Sequence, residues 1–316
     1  MAEILLPLTV GGTVVEAPFG ARLDPAIFAR AVEASAPDVI QATPSFWRLA
    51  LAAGWHGAPA SRIWCGGEAM TEPLARDLLP AGKEVWNLYG PTEATIWASA
   101  SRIEAGAPVS LGAPLSGTGI SLVDRDDDGA DSLIREPDRP GEILLYGAGL
   151  AEGYLDRAEL TAERFRVGFT PDGPWTCYRT GDRARYRPDG SLEFLGRTDG
   201  QIKLRGHRIE LGEIESVLEA CGRVSEAVAV VRSAERPERA HIAAFVVLAP
   251  AAETGVSAET DTSADSAVKE IRKWSAERLP PSMRPAKLII TDALPRTAAG
   301  KIDRVRLSAD GPPSEK

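Results

Sequence analysis

The chain is poor in the residues that build metal clusters and disulfide frameworks. Its 316 residues include three cysteines, at positions 65, 177 and 221, and three histidines. No two cysteines have the Cys-x-x-Cys spacing, so neither a zinc site nor a disulfide scaffold is expected. The longest apolar stretch, residues 242–250, is far shorter than the roughly 20 residues of a membrane-spanning helix. Met1 is not followed by a basic segment and an apolar core, so a secretion signal is not expected either.

The charge balance argues against nucleic acid as a partner. Lys and Arg number 36 and Asp and Glu number 45, which gives a net charge of −9, whereas nucleic-acid binding depends on a basic surface. Hydrophobic residues make up 44% and charged residues 26%, as in ordinary soluble folds, so wholesale disorder is excluded. A reduced, cytoplasmic enzyme that contacts no membrane is the expected class.

Residues 1–102 alternate strand and helix signals. Short apolar runs at 39–42, 62–65 and 85–88 are separated by helical patterns that begin at Pro25, Pro44 and after Thr71. This alternation predicts an α/β parallel sheet, the C-terminal part of a larger core. Ligands of such sheets bind beyond the carboxyl ends of the strands. The segments there are 41–43, 66–68 and 89–93.

The remaining residues predict two further parts. Residues 103–198 carry short β-like runs broken by Gly, Pro and Asp, which favours a small antiparallel, barrel-like subdomain with a hairpin at Pro188-Asp189-Gly190. Residues 199–316 combine helical and strand patterns and predict a small α+β C-terminal domain. Within it, residues 250–266 are rich in Ser, Thr, Ala and acids without periodicity, which is typical of a linker.

Two short motifs carry groups that suit a nucleotide. Tyr-Gly-Pro-Thr-Glu at 89–93 follows a predicted strand and brings an aromatic ring, a hydroxyl and a carboxylate to its end. Such oxygens suit Mg²⁺ bound with phosphates, although a turn with a solvated glutamate is an equally good interpretation. Asp182, in Tyr-Arg-Thr-Gly-Asp at 178–182, can accept two hydrogen bonds from a ribose diol, or it is simply a turn acid.

Two further segments carry positively charged side chains. Residues 196–215, GRTDGQIKLRGHRIELGEIE, place Arg197, Lys203, Arg205 and Arg208 around glycines before a predicted helix, which suits anion contacts as well as it suits a solvated face. Lys301 lies on a glycine-containing loop near the C-terminus. A single loop lysine is ordinarily a surface residue, so its interpretation depends on the whole set.

Together these motifs resemble the adenylation domains of nonribosomal peptide synthetases, within the superfamily that includes acyl-CoA synthetases. The resemblance covers nearly the whole chain in the family's order, and its stretches are NLYGPTEATI at 87–96, GEILLYGAGLAEGYL at 141–155, YRTGD at 178–182, GRTDGQIKLRGHRIELGEIE at 196–215, LPPSMRP at 279–285 and LPRTAAGKIDR at 294–304. The reaction that it implies is ATP-dependent formation of an aminoacyl-AMP, followed by transfer to the phosphopantetheine thiol of a peptidyl carrier protein.

The resemblance also implies the catalytic and nucleotide-binding residues. Lys301 bridges the substrate carboxylate and the nucleotide, Glu93 holds Mg²⁺ and Thr92 contacts the phosphates. The residues that the resemblance implies for adenine and ribose contacts come from four segments of the chain. They are Gly66, Gly67, Asn87, Tyr89, Asp182 and Arg197. Asp199 matches the hinge of the family, so the small domain is expected to rotate after adenylation and exchange Lys301 for the loop at Lys203–Gly206.

The amino-acid pocket implied by the family suits a very small substrate. Its lining residues in this chain are Ala2, Gln41, Trp64, Gly66, Leu88, Ile96 and Trp97. Most of them are similar to the set of glycine-activating members, and Trp64 departs from that set by being bulkier. Two indoles leave little volume for a side chain, so glycine is the expected substrate, unless Trp64 and Trp97 are core aromatics that face away.

One family motif is absent. The sequence contains no Ser/Thr/Gly-rich phosphate-binding loop that ends in Pro-Lys-Gly, and Glu3–Leu8 resembles the segment that follows the family's amino-group aspartate. We therefore expect a missing N-terminal half to be a partner of this chain. The alternatives are an inactive or docking half-domain and an acyl-CoA synthetase-like ligase. The residues IELGEIE, which follow RGHR, favour the peptide-synthetase branch of the superfamily over the acyl-CoA synthetase branch.

Overall fold

The computed structural model describes residues 2–125, 131–171, 173–198, 201–233, 239–249, 264–297 and 302–309. The chain divides into two compact units, Met1–Asp199 and Gly200–Lys316. Most of the predicted linker at 250–266, together with the candidate residues Asp199 and Lys301, lies outside the described residues. Among the helices that the structure describes, none is long and apolar enough to cross a membrane.

The first unit begins with a five-stranded sheet. Its elements are α1 (Ala2–Thr9), α2 (Pro25–Ser35), β1 (Val39–Ala42), α3 (Pro44–Ala52), β2 (Ala58–Gly66), α4 (Glu72–Leu78), β3 (Gly82–Tyr89), β4 (Ser99–Arg102) and β5 (Ala113–Pro114). The strands lie in the order β1-β2-β3-β4-β5. Pairing is parallel between β1 and β2 and between β2 and β3, as predicted, and β4 adds an antiparallel strand.

Local chemistry explains where the first helices begin. The Asp24 carboxylate accepts a hydrogen bond from the Ala26 amide at 2.8 Å, and the Thr43 hydroxyl accepts one from the Phe46 amide at 3.4 Å. A proline follows each cap and lacks an N–H that would otherwise be unpaired. The apolar faces of these helices meet in an aromatic cluster, in which Phe28 packs edge-on against Phe46, Trp47 and Trp55. This cluster fixes the helices on one side of the sheet.

The second part of this unit is antiparallel, as predicted. Its elements are β6 (Thr118–Arg125), β7 (Asp131–Ile134), β8 (Gly141–Gly147), α5 (Ala158–Arg164), β9 (Phe165–Thr170), β10 (Gly173–Tyr186) and β11 (Leu192–Arg197). The order is β11-β10-β8-β6-β7, and β9 pairs with β10. Closure of these strands into a barrel stays a prediction. The predicted hairpin joins β10 to β11, and the Asp189 carboxylate accepts a hydrogen bond from the Ser191 amide at 2.8 Å.

One sequence-based interpretation is wrong. Asp182 was interpreted as an acid on a turn, whereas β10 runs continuously through it from Gly173 to Tyr186. Gly181 has φ +73°, and the register against β8 shifts between Arg179 and Arg183. A bulge therefore bends a strand where the Gly-Asp pair suggested that the strand ended.

The second unit contains two small sheets. Its elements are β12 (Gln201–Leu204), β13 (His207–Glu210), α6 (Leu211–Glu219), β14 (Val224–Arg232), β15 (His241–Leu248), α7 (Ala264–Arg278), β16 (Lys287–Ile290) and α8 (Arg304–Ser308). Strand β15 lies between β14 and β16, antiparallel to the former and parallel to the latter. Leu211, Ile214 and Leu218 of α6 are buried with Ile271 of α7. Strands β12 and β13 form a separate hairpin.

Candidate active site

The predicted pocket residues of the first unit share one face of the five-stranded sheet. Gln41 and Trp64 are partners across β1 and β2, and Gly66 and Leu88 are partners across β2 and β3. Because side chains alternate along a strand, Trp64 and Gly66 point to the same face. The backbone thus brings these four residues together at the carboxyl ends of parallel strands.

Trp97 lies directly over Gly66. A Cβ added to Gly66 would stand 2.6 Å from the Trp97 ring and 2.7 Å from the carbonyl oxygen of Leu88, so only glycine allows this approach. The Trp97 indole nitrogen is buried and has no hydrogen-bond partner among the described residues. The Trp97 ring therefore occupies the space that a side chain at position 66 would need. The side chain of Ala2 lies outside the described residues.

The loop after β3 adopts a strained turn. A short 3-10 turn covers Thr92–Ala94, and the next two residues, Thr95 and Ile96, have φ +56° and +73°. The left-handed region is unfavourable for β-branched residues, so tertiary contacts must hold the turn. It is closed by the Ala98 amide, which donates to the Tyr89 carbonyl at 2.8 Å. This turn carries the predicted residues Thr92, Glu93, Ile96 and Trp97.

Glu93 is buried, which rules out the alternative of a solvated turn glutamate. Only 8% of the residue is exposed, and its carboxylate accepts a hydrogen bond from the Tyr154 hydroxyl at 2.6 Å. The Tyr154 hydroxyl also lies 3.3 Å from that of Tyr178. Burial, followed by the hydrogen bond to Glu93, raises the pKa of Tyr154 above its ordinary value. The phenol therefore remains a proton donor to the carboxylate.

The oxygen donors at Glu93 fit a magnesium ion that arrives with a nucleotide. Within the described part of the chain, no group of three or more His, Cys, Asp or Glu side chains is arranged to hold a metal. Mg²⁺ commonly takes one or two carboxylates and completes its octahedron with phosphate oxygens and waters. A single buried carboxylate is consistent with that arrangement.

Asp182 is the second buried carboxylate, with 4% exposure. One of its oxygens accepts a hydrogen bond from the Arg197 guanidinium at 2.6 Å, and the other accepts one from the Tyr89 hydroxyl at 2.7 Å. The same guanidinium donates to the carbonyl of Thr180 at 2.8 Å. Burial and the nearby Asp182 charge raise the pKa of Tyr89 well above its usual range. The ion pair and the phenol fix the plane of the carboxylate.

Asn87 and Tyr89 lie on the face of β3 opposite to Leu88, because their positions alternate with it. Asn87 is buried, and its side-chain amide donates to the Ser110 carbonyl at 2.7 Å. The sheet thus separates two sets of residues. Of the predicted nucleotide residues, Asn87 and Tyr89 lie on the face where the Tyr89 hydroxyl reaches Asp182, whereas Gly66 shares the other face with the predicted amino-acid pocket.

The cationic residues that the sequence grouped belong to different units of the fold. Arg197 ends β11 in the first unit, whereas Lys203, Arg205 and Arg208 belong to the β12–β13 hairpin of the second unit. Arg205 and Gly206 form the hairpin turn, with φ +52° and +79°. The predicted loop at Lys203–Gly206 is therefore the tip of a hairpin.

Tyr154 is the site residue that sequence reasoning missed. It lies in the GEILLYGAGLAEGYL motif, which supported the family resemblance without giving Tyr154 a role. Its contact with Glu93 joins residues 61 positions apart. The motif was the only feature of the sequence that drew attention to this segment. A motif alone does not show that two residues 61 positions apart are in contact.

The chain thus combines an α/β sheet, an antiparallel sheet and an α+β unit, and the first unit contains two buried carboxylates held by tyrosine hydroxyls. Family models identify the class of protein: residues 1–155 match the AMP-binding enzyme model, and residues 213–301 match the AMP-binding enzyme C-terminal domain model. The chain is 38% identical over 311 residues to a dimodular nonribosomal peptide synthase of Bacillus subtilis, covering 97% of this chain and 12% of the relative.

Solved structures agree with these matches. A nonribosomal peptide synthetase protein with adenylation and PCP domains, bound to a vinylsulfonamide inhibitor, has a TM-score of 0.73 and 30% identity, covering 90% of this chain and 47% of its own. A four-domain synthetase bound to AMP and glycine has a TM-score of 0.57 and 36% identity, covering 96% and 22%. The chain belongs to the AMP-binding enzyme family and, within it, to the adenylation domains of nonribosomal peptide synthetases. It spans about half or less of these relatives.

Proposed function

We propose that this chain provides the adenine, ribose, magnesium and amino-acid sites for ATP-dependent amino-acid adenylation in nonribosomal peptide synthesis. The observation that carries this proposal is the pair of buried carboxylates, Glu93 and Asp182, each held by a tyrosine hydroxyl. Fixed carboxylates of this kind suit the two polar parts of ATP that need orientation, the ribose diol and the phosphates with their cation. The family relationship supports the same assignment.

In the first half-reaction, the substrate carboxylate attacks the α-phosphate of ATP. A new oxygen–phosphorus bond forms, the bond to pyrophosphate breaks, and aminoacyl-AMP results. Two anions must approach each other, so catalysis depends on positioning and charge neutralisation. Magnesium bound at Glu93 supplies charge neutralisation on the phosphates. Asp182 orients the ribose and is itself oriented by Arg197. Lys301 bridges the reacting carboxylate and the nucleotide.

The nucleotide is held from several sides. Asn87 and Tyr89 contact the adenine, Gly66 and Gly67 allow close approach of the backbone, and Thr92 contacts the phosphates. Thr92 is exposed at the start of its 3-10 turn, which supports a role in ligand contact.

In the second half-reaction, the acyl group passes from AMP to the thiol of a carrier protein. The carrier sulfur attacks the acyl carbon, the bond to the AMP oxygen breaks, and a thioester forms. Rotation about Asp199 would replace Lys301 by the hairpin tip at Lys203–Gly206. The similarity to a protein that contains adenylation and PCP domains supports a carrier protein as the partner.

Glycine is the substrate that the pocket favours. The close contact of Trp97 with Gly66 supports a filled pocket, and a relative of 36% identity is bound to AMP and glycine. An additional methylene in a filled pocket costs about 1–3 kcal/mol. Alanine should therefore be the nearest competitor.

Amino-acid-dependent ATP–pyrophosphate exchange tests this function. The experiment compares the 316-residue chain alone with the chain supplied with an N-terminal adenylation-domain half, each with a panel of amino acids. We expect little exchange by the chain alone, because the sequence contains no phosphate loop, and glycine-dependent exchange with the added half. Glu93→Gln in the supplemented enzyme should remove most of the exchange. Absence of exchange in both preparations would favour the inactive or docking alternative.

The substrate assignment needs a separate variant. Trp97→Ala should remove the indole above Gly66 and admit larger amino acids, while glycine loses its advantage. A preference of the unmodified enzyme for a large side chain would contradict the filled-pocket argument, whatever the variant does. Activation of a carboxylic acid without an amino group, followed by transfer of its acyl group to the thiol of CoA, would instead favour an acyl-CoA synthetase-like ligase.

A further inference from the structure

The segment after β8 braces the strained turn that carries Glu93. The Thr95 hydroxyl donates to the Gly149 carbonyl at 2.6 Å, and the Ala151 amide donates to the Glu93 carbonyl at 2.8 Å. A third contact, from the Tyr154 hydroxyl to the Glu93 carboxylate, is 2.6 Å long. Residues 149–154, here called the brace, thus hold both the backbone and the side chain of the turn.

The ring of Tyr154 is itself fixed. It packs edge-on against Phe165, with ring centroids 5.6 Å apart, and Phe165 contacts Tyr178 at 5.0 Å. The Tyr154 amide donates to the Thr161 hydroxyl at 2.9 Å. A phenol anchored at its ring, its backbone and its hydroxyl is a rigid donor. It therefore restricts the orientation of the carboxylate that it contacts.

The turn needs such restraint because its own conformation is unfavourable. Thr95 and Ile96 both have positive φ, which costs energy for β-branched residues. Without the brace, the chain around them would relax towards ordinary backbone angles. Glu93 precedes the strained pair and Trp97 follows it, so relaxation would displace both the carboxylate and the indole.

We propose that Tyr154 is a positioning residue for Glu93, and that the brace fixes both the cation-binding carboxylate and the pocket residue Trp97 through one strained turn. This inference rests on the proposed function for the role of Glu93. The geometric part concerns the order of the turn and is independent of activity.

The first test is amide hydrogen exchange on the 316-residue chain, with Tyr154→Phe as the variant. The substitution removes one oxygen and keeps the ring on Phe165. We expect exchange in peptides covering residues 91–98 to rise about 10-fold, as for loss of one hydrogen bond to a charged group. Tyr186→Phe is the matched control on β10, since the Tyr186 hydroxyl has no hydrogen-bond partner among the described residues. Unchanged exchange at 91–98 in Tyr154→Phe would overturn the proposal.

A second pair of variants tests the brace without touching Tyr154. Thr95→Ala removes the hydroxyl that donates to Gly149, and Thr95→Ser keeps it. Exchange at 91–98 should rise in the alanine variant and return close to the wild-type level in the serine variant. Equal exchange in both would show that this hydrogen bond does not order the turn.

The last test addresses Glu93 itself. In an enzyme with measurable pyrophosphate exchange, Tyr154→Phe should raise the Mg²⁺ concentration for half-maximal rate about 10-fold, with a smaller change in the rate at saturating Mg²⁺. Hydrogen exchange at 91–98 could rise in Tyr154→Phe while the Mg²⁺ concentration for half-maximal rate stays unchanged. That result would overturn the proposal that Tyr154 positions Glu93. Absence of pyrophosphate exchange by the wild-type chain supplied with the N-terminal half would contradict the proposed function, and hydrogen exchange would still decide whether the brace orders the turn.

Discussion

The two units of the molecule present their candidate functional groups in opposite ways. In the first unit, Glu93 and Asp182 are buried carboxylates held by tyrosine hydroxyls. In the second unit, the cationic residues Arg205 and Arg208 are exposed on a two-stranded hairpin. One unit fixes anionic groups inside the fold, and the other presents cationic groups to solvent.

The difference follows from the cost of burying charge. A buried carboxylate is stable only when ion pairs and hydrogen bonds replace its water, and the contacts that do so join residues 61 and 93 positions apart. An exposed guanidinium keeps much of its water, so its charge needs less compensation from the protein. We therefore expect single side-chain substitutions to destabilise the carboxylate site of the first unit. In the hairpin of the second unit, we expect changes that affect the backbone of the turn to matter more.

The largest expected effect is on the buried ion pair. Asp182→Asn would remove the charge that pairs with the Arg197 guanidinium, whose side chain is 12% exposed. Breaking a buried pair in this way costs about 3–5 kcal/mol. Urea unfolding followed by intrinsic fluorescence measures the loss, since six of the seven tryptophans lie in the first unit.

The control for this prediction is an exposed pair of the second unit. Glu270→Gln removes the partner of Arg223, at 2.7 Å, in a pair whose side chains are 33% and 54% exposed. Such pairs contribute about 0–1 kcal/mol. Similar losses in the two variants would mean that burial does not distinguish the units as we argue.

The next effect concerns the two half-reactions. Lys301→Ala should lower aminoacyl-AMP formation about 100-fold or more, as for loss of a charge-stabilising donor. Transfer from preformed aminoacyl-AMP to a carrier thiol should be largely intact, because rotation would have removed Lys301 from the site. Separate assays of the two steps in the supplemented enzyme measure this. Equal losses in both would argue against the exchange of Lys301 for the hairpin tip.

A smaller effect is expected at the hairpin turn. Gly206 has φ +79°, so Gly206→Ala should destabilise the second unit by about 1–2 kcal/mol. Gly212→Ala is the matched control, because an added Cβ there meets nothing within 4 Å and its φ is not positive. Hydrogen exchange in peptides covering 201–210 measures the difference. Equal behaviour of the two variants would show that the turn is not under backbone restraint.

The sequence predicted the local part of this fold well. The helices predicted to begin at Pro25 and Pro44 do begin there, and the strand predicted at 39–42 coincides with β1. These features depend on residues adjacent in the chain. The parallel pairing of β1, β2 and β3 follows from the alternation of strands and helices, which any chain of this pattern must satisfy.

The rest of the site depends on distant contacts that no local pattern records. Tyr89 was expected to stack on adenine, and nothing in the sequence indicated that its hydroxyl meets Asp182. The turn at Thr95–Ile96 has positive φ although it contains no glycine, so its residue types do not predict this conformation. Asp182 follows a glycine that suggested a turn, whereas its pairing with Arg197 of β11 keeps it in a strand.

The smallest expected effect is the pH dependence of a partly exposed acid on the same sheet as Asp182. Glu193 accepts a hydrogen bond from Arg185 at 2.7 Å, and this contact lowers its pKa below the ordinary 4.5. A lowered pKa stabilises the fold above the ordinary value, and that contribution is lost as pH falls through the folded pKa. Glu193→Gln should therefore lower the free energy of unfolding slightly at neutral pH, and the gap from wild type should close as the pH is stepped down through 4.5. Glu152→Gln, at an exposed acid without an ion pair among the described residues, is the control and should track wild type at every pH. If the difference in free energy of unfolding between wild type and Glu193→Gln persists in acid, Glu193 acts through packing rather than charge. The contrast between partly exposed and buried carboxylates within this unit would then need another explanation.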